Sequence, residues 1–235
     1  MSVSRAQQAA PLQVYFFTSR SDSGFSAFQQ ASTTFAEVDW RLFHIESPAD
    51  RSAFENQIHS PDVVISFLNP YVIPAALLDQ VGGRAFNVHP ALPEYPGRDP
   101  EHFAFYDGAT TTGATLHRMD TAVDSGEIID IRERSLDRAA GVMRFVKDSE
   151  LLSIDLLIGN LPEILNGTVK SLTTRTWRPG LRSTRKQFLE MCRIDPSMAQ
   201  EEVDRRIASF FNPNYRSIYL ELHGHRFVYE PPASP

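Results

Sequence analysis

Cysteine is almost absent: Cys192 is the only one in 235 residues. An intramolecular disulfide is therefore excluded, and with no Cys/His run at zinc-site spacing neither a structural zinc nor any other metal is expected. Long apolar runs are also missing. Nothing approaches the ~20 residues of a membrane span, and the start, MSVSRAQQAAPLQVYFF, lacks the charged head and apolar run of a secretory signal. These absences predict a cytoplasmic protein with no membrane partner. Positive charge is not in excess either. A formal net charge of −6 argues against a nucleic-acid partner, because phosphate backbones are held chiefly by clustered Lys and Arg.

What is present is apolar material for a sizeable core, 42% of the residues. The charge is unevenly spread. Residues 171–235 carry 10 Lys and Arg against 7 Asp and Glu, which suits either a solvated face or a surface meeting an anionic ligand.

In chain order, the tip before Leu12 is expected to be disordered. Leu12–Thr18 (LQVYFFT) is a β-branched and aromatic run suited to a strand buried on both faces. The loop Ser19–Gly24 then leads into a helix, with Ser21, Asp22 or Ser23 as cap. Such a loop is either an ordinary turn or an anion cradle. Strands are predicted at Trp40–Ile45, Asp62–Phe67 and Ala85–Val88. Helices fall at Pro48–His59 and from Pro74, at the first helical position, to Leu78. A short helix follows at Pro100–Tyr106, then strands at Gly113–Met119 and Glu127–Arg132. A long helix, Ala139–Leu165, stops at Asn166-Gly167. Beyond Val169 comes a basic loop, TTRTWRPGLRSTRK, then an amphipathic helix at Met198–Phe210 and a hairpin of Ile218–Leu222 and His225–Tyr229. The alternation predicts an α/β fold, a mostly parallel sheet with helices on both faces. A domain over 1–170 would carry a small α+β extension over 171–235 that ends in the hairpin.

Ligands collect at the carboxyl ends of parallel strands, and Asn87 and His89 fall there, two residues apart on one face. Asp124, beside Ser125-Gly126, lies between two later strands. Taken singly, each has an ordinary explanation as a capping or turn-forming residue. Together they place an amide, an imidazole and a carboxylate at the ends of neighbouring strands.

The whole stretch Ala85–Asp130 carries more than this. Its segments N-V-H-P-A-L-P-E-Y-P-G-R-D-P, T-G-A-T-L-H-R-M-D and V-D-S-G-E-I-I, in that order and approximate spacing, resemble the signature of the folate-dependent formyltransferases. That family includes glycinamide ribonucleotide transformylase, methionyl-tRNA formyltransferase and the sugar-nucleotide N-formyltransferases. The resemblance implies a Rossmann-like domain, an enzyme, and 10-formyltetrahydrofolate as formyl donor.

It also implies that Asn87, His89 and Asp124 are the catalytic trio. Formyl transfer to a primary amine passes through a tetrahedral species whose oxygen gains negative charge. Asn87 and His89 would donate to that oxygen, while Asp124 holds the imidazole, favours its charged form and helps move the amine's proton. His117 is expected to orient the site or pack within it. The folate would lie against Phe67, Leu68, Asn69, Tyr71, Val72 and Ile73, and against Asp120, Thr121 and Val123. Tyr95 and Arg98 would meet the acceptor.

For the acceptor, Ser19–Gly24 only faintly resembles the G-x-G-S-N phosphate loop of the purine transformylase, lacking its first glycines. The 65-residue tail is short and weakly basic for the tRNA-binding barrel. Ile194-Asp195, Arg205–Phe210 and Phe211–Tyr215 followed by G-H-R-F resemble the sugar enzymes' linker and C-terminal segment. A nucleotide-linked amino sugar is therefore the expected acceptor, with Arg178, Arg182 and Arg185 near its pyrophosphate. Glycinamide ribonucleotide, an ornithine-type amine, or a non-catalytic folate- or nucleotide-binding module are the alternatives. The apolar tail hairpin suits a contact between two copies in a homodimer.

Overall fold

The computed structural model describes residues 10–56, 60–180 and 182–232. The expected disordered tip and the last turn of the helix predicted to reach His59 lie outside them. Six strands form one sheet: β1 (Gln13–Thr18), β2 (Asp39–Phe43), β3 (Val63–Phe67), β4 (Ala85–His89), β5 (Thr111–Arg118) and β6 (Ile128–Ser135). Their order is β2-β1-β3-β4-β5-β6. The first four run parallel, β5 runs antiparallel to β4, and β6 antiparallel to β5 in turn, so this is the mostly parallel α/β sheet expected.

Strict alternation along β1 sends Val14 and Phe16 to one face and Tyr15 and Phe17 to the other. On the first face the sheet packs against α1 (Asp22–Thr34) and α5 (Val142–Asn166), through Ala27, Ala31, Leu152, Leu156 and Leu161. On the second face, Phe54 of α2 (Pro48–Glu55) and Leu77 of α3 (Ala75–Gln80) close over Tyr15, Phe17 and Val64. Local signals set the helix starts. The Ser21 hydroxyl accepts the Gly24 N–H at 3.1 Å to cap α1, and Ser47 with Asp50 makes a full capping box on α2. Gly167, in the left-handed region, stops α5. Pro74 serves as the cap of α3 and not as its first turn.

The second helical layer does not reach across the sheet. It covers β1, β3 and the start of β4, and over the rest of β4 and β5 the same face turns polar. Phe86, Val88, Ala114 and Leu116 enter the α1/α5 core, so Asn87, His89, Thr115 and His117 point the opposite way. Loops cover them instead of helices. Thr115 Oγ1, for example, donates to the Ala91 carbonyl at 2.7 Å.

The C-terminal part holds two elements absent from the sequence reading: α6 (Arg185–Cys192) and β7 (Arg193–Ile194). Strand β7 runs parallel to β8 (Tyr219–Leu222), which pairs antiparallel with β9 (His225–Val228) in the expected hairpin. Between them, α7 (Gln200–Phe210) packs on α4 (Pro100–Tyr106), where the His102 ring donates from Nδ1 to the Ser209 carbonyl at 2.7 Å. Among the described residues no helix is long and apolar enough to cross a membrane.

Candidate active site

A cavity of about 560 Å³ opens over the polar half of that face, at the ends of β3 and β4. Asn87 and His89 enter it from β4, and His117 stands opposite Asn87 in β5. The ladder is irregular between Leu116 and His117, the kind of local bulge that re-aims a side chain beside a site. Asp124 comes from the β5–β6 connection, which doubles back so tightly that a Cβ on Gly126 would strike the Arg118 carbonyl. Three non-glycine residues on the cavity wall, Leu68, Asp99 and Asp124, hold left-handed backbone angles of 45°, 52° and 46° in φ. Strain of this kind persists only where the surroundings enforce it.

The polar groups form one connected cluster. Asp124 lies between two imidazoles, with Oδ2 3.5 Å from His89 Nδ1 and Oδ1 3.5 Å from His117 Nε2. Its Oδ2 also accepts the Gly97 N–H at 2.8 Å. Asn87 Nδ2 is 3.0 Å from His117 Nε2, and His117 Nδ1 is 2.7 Å from the Arg118 carbonyl. A carbonyl only accepts, so Nδ1 of His117 carries a proton, and in the neutral ring its Nε2 accepts from Asn87. One Asn87 N–H is left for a ligand. By the same reasoning His89 Nε2 donates to the Tyr95 carbonyl at 2.8 Å, and its Nδ1 faces Asp124.

These contacts set the charges. Burial works to raise the Asp124 pKa, but His89, His117 and the Gly97 N–H outweigh it, and the carboxyl titrates well below the usual carboxylate range. Burial pushes the His89 pKa down, against Asp124 and the Tyr95 carbonyl, which favour the cation. At neutral pH the cluster thus holds an ionised carboxylate beside a neutral imidazole whose Nδ1 is aimed to take a proton. In the neutral ring the one N–H of His89, on Nε2, is committed to the Tyr95 carbonyl, so none is free for the oxyanion. Of the two donors anticipated, Asn87 is the one available.

Of the other residues singled out from the sequence, Leu68, Asn69, Tyr71, Val72, Ile73, Asp120, Thr121, Val123, Arg98 and Arg182 line the cavity. Asn69 mainly shapes its loop: its amide donates to the Tyr71 carbonyl at 2.9 Å and accepts the Tyr71 N–H at 3.2 Å. Four do not reach the wall, one of them Arg185, which opens α6 outside this cavity. Phe67 points into the α1/α5 core, because the strand alternation that exposes Ser66 to the cavity turns Phe67 away. The Tyr95 side chain packs against Ala104, Phe105, Val142 and Phe145, and only its carbonyl serves the site. Arg178 is exposed, with its backbone N–H on the Pro93 carbonyl at 3.0 Å.

Sequence reasoning passed over Trp177. Its Nε1 donates to the Gly126 carbonyl at 2.8 Å, and its ring meets His117 edge-on at 4.9 Å and His89 at 5.6 Å. It thereby backs both imidazoles. A lone Trp in a basic loop, 51 residues from Gly126, carried no signal of this. The same segment is seamed to the proline-rich loop by a bridge between Gly97 and Ser183. There φ at Gly97 is +109°, and any Cβ would strike the Ser183 backbone.

Comparison with solved structures places the fold. A sugar N-formyltransferase from Shewanella sp. superposes with a TM-score of 0.77 at 16% identity, over 95% of this chain and 98% of that one. An N-formyltransferase from Helicobacter canadensis, solved with folinic acid and dTDP-3-aminofucose, superposes with a TM-score of 0.66 at 15% identity, over 91% and 85%. Residues 16–137, just over half of the chain, match the family model described as Formyl transferase. The chain belongs to this family. The methionyl-tRNA formyltransferase of Listeria welshimeri is 31% identical over 112 residues, which take in 47% of this chain and 36% of that protein. The chain thus spans about a third of the length of the curated relatives it matches.

Proposed function

We infer that the chain transfers a formyl group from 10-formyltetrahydrofolate to the primary amine of a nucleotide-linked amino sugar. The observation that carries this reading is the cluster of Asn87, His89, His117 and an ionised Asp124 on the wall of one cavity. The donor suits the rest of the wall. Val72 and Val123 are 62% and 42% exposed there, apolar surface that a flat heterocycle would cover. The loops over 68–73 and 119–123 offer backbone groups for its edges.

When bound, 10-formyltetrahydrofolate supplies the formyl group; the remaining tasks fall to the chain. Asn87 directs its free N–H at the oxygen that gains charge, a contribution worth roughly 10²–10³ in rate for one such donor. His89 would take the amine's proton on Nδ1, Asp124 would stabilise the imidazolium so formed, and the proton would pass on to the nitrogen of the departing tetrahydrofolate as its bond to the formyl carbon breaks. His117 holds the Asn87 amide in place through its Nε2. Trp177 and the loops around Gly97 keep water from the cluster.

The relatives' name offers methionyl-tRNA as a second acceptor class, and one assay separates the two. Purified protein is given 10-formyltetrahydrofolate with dTDP- or UDP-linked amino sugars, or with methionyl-tRNA, and products are followed by mass spectrometry. Formylation of a nucleotide sugar that is lost in Asn87→Ala is expected. Turnover confined to methionyl-tRNA, or undiminished in Asn87→Ala, sinks the reading.

A further inference from the structure

The cavity above β3 and β4 is not confined to the face that carries Asn87 and His89. Ser19, just past β1, and Glu101, in the first turn of α4, also line it. Glu101 belongs to the side of the sheet covered by α1 and α5. Ser149 of α5 touches its carboxyl, and the adjacent Glu150 accepts from Ser23 Oγ of α1 at 2.7 Å. The cavity therefore reaches round the carboxyl edge of the sheet, with the reactive cluster on one flank and this acid on the other.

Nothing in the fold calls for an acid there. Glu101 is 7% exposed, and the charges that bear on it, Asp99 and Glu150, are both negative. A carboxylate in a first turn supports its helix through its charge. Burial instead keeps this group protonated at neutral pH, so it gives α4 no such support. The hydrogen bonding agrees. Ser149 Oγ lies 2.8 Å from the Val146 carbonyl and 3.3 Å from Glu101 Oε1. A hydroxyl has one proton, and the carbonyl, which can only accept, takes it at the shorter distance. The proton between Ser149 and Glu101 is then that of the acid, and Ser149 is satisfied without it. Beyond its own N–H, which also bears on the carboxyl, Glu101 draws no other donor among the described residues. Its second oxygen is left as an acceptor.

We propose that Glu101 is a specificity-determining residue, a neutral acid whose second carboxyl oxygen accepts from a ring hydroxyl of the acceptor while the amine lies at His89 and Asp124. The proposal rests on the amino-sugar reading above and sharpens it. An anionic group is rejected at this wall, because Asp99 and Glu150 repel it and the one proton of the acid is spent on Ser149. The part of the acceptor that lies here is therefore uncharged and carries an O–H. A site built to pair with a substrate hydroxyl discriminates strongly against the analogue that lacks it.

The test is steady-state formyl transfer with saturating 10-formyltetrahydrofolate. The varied substrates are a dTDP- or UDP-linked amino sugar that the parent formylates and the same compound with its ring hydroxyls replaced by hydrogen one at a time. One of these replacements should lower kcat/KM of the parent roughly 10-fold, as loss of a hydrogen bond does. Glu101→Met, of similar length and apolar, should raise the acceptor KM by a similar factor and abolish that discrimination; Glu101→Ala should do the same. Glu101→Gln should keep both turnover and discrimination, because its amide donates to Ser149 while its carbonyl still accepts. Folinic acid affinity should hold in all three variants, which shows that they fold. Parent-like discrimination in both Glu101→Met and Glu101→Ala overturns the proposal and leaves the acceptor reading standing. A Glu101→Gln variant as indifferent to the hydroxyl as Glu101→Met overturns the role of a neutral acceptor. No formylation of any nucleotide-linked amino sugar by the parent overturns both proposal and acceptor reading.

Discussion

Replacing Asp124 by Asn keeps the shape of the side chain and removes its charge from between two imidazoles. A unit charge 3.5 Å from His89 Nδ1 interacts with a forming imidazolium by ~5 kcal/mol at an effective dielectric of ~20. The amide dipole recovers part of this, which leaves on the order of 3–4 kcal/mol, or about 10²–10³-fold in the rate of the step that charges His89. Burial, no longer opposed by a carboxylate, keeps His89 neutral. Folding should suffer little, because the Asn oxygen still accepts the Gly97 N–H. The assay is single-turnover formyl transfer with saturating donor and acceptor, beside folinic acid affinity as a control. A rate within fivefold of the parent, with binding intact, would refute the assignment of His89 as proton acceptor and Asp124 as its counter-charge.

Three further outcomes are expected. Glu101 sits on the cavity wall with its pKa pushed up to about 8 by burial, with Asp99 and Glu150 adding to the effect. The folded state keeps this proton while the unfolded state loses it, so stability should fall as pH rises from about 4.5 to about 8. Glu101→Gln should remove most of that fall, on the order of 4 kcal/mol; denaturation curves with the same pH slope as the parent would contradict it. Gly97→Ala should cost roughly 1–3 kcal/mol of stability and depress turnover, because the new Cβ must part the Gly97–Ser183 seam; urea midpoints and kcat read both. Trp177→Phe, which keeps a ring but loses the bond to Gly126, should cost about 1 kcal/mol. Trp177→Ala should let water reach the imidazoles, raise the His89 pKa and move the acidic limb of the kcat–pH profile upward, and an unmoved limb would count against the role given to Trp177.

Much of the sheet was legible because its signals are local. The buried run of β1, the capping serine of α1, and Gly167 at the end of α5 each act within a few residues. The antiparallel sense of β5 and β6 was less so, since pairing direction depends on where the connections travel. Helix α6 was hidden in a basic, Pro- and Gly-bearing stretch, and its capping pair Thr184 and Gln187 has a weak apolar face behind it. At the site, Asn87, His89 and Asp124 stood out through motif order and spacing. Phe67 was misplaced because the alternation of β3 turns it into the core, and Tyr95 and Arg178 because a loop's sequence does not say which of its side chains turn inward. The Trp177–Gly126 bond and the Gly97–Ser183 bridge join segments 51 and 86 residues apart, which periodicity cannot reveal.

The row that crosses the sheet through Phe17, Ser66, Asn87, His117 and Ile128 has a bearing on transplanting this chemistry. Along it an aromatic core layer passes into the reactive groups without a break, one strand at a time. A slip of one residue in β4 would present Phe86 and Val88 to the cavity and drive Asn87 and His89 into the α1/α5 core. The apolar packing beneath the sheet is thus what holds Asn87 and His89 in alignment. The loops over the cavity can be exchanged, but Asn87 and His89 travel only with the whole sheet. Loss of activity in denaturant should therefore coincide with melting of that sheet.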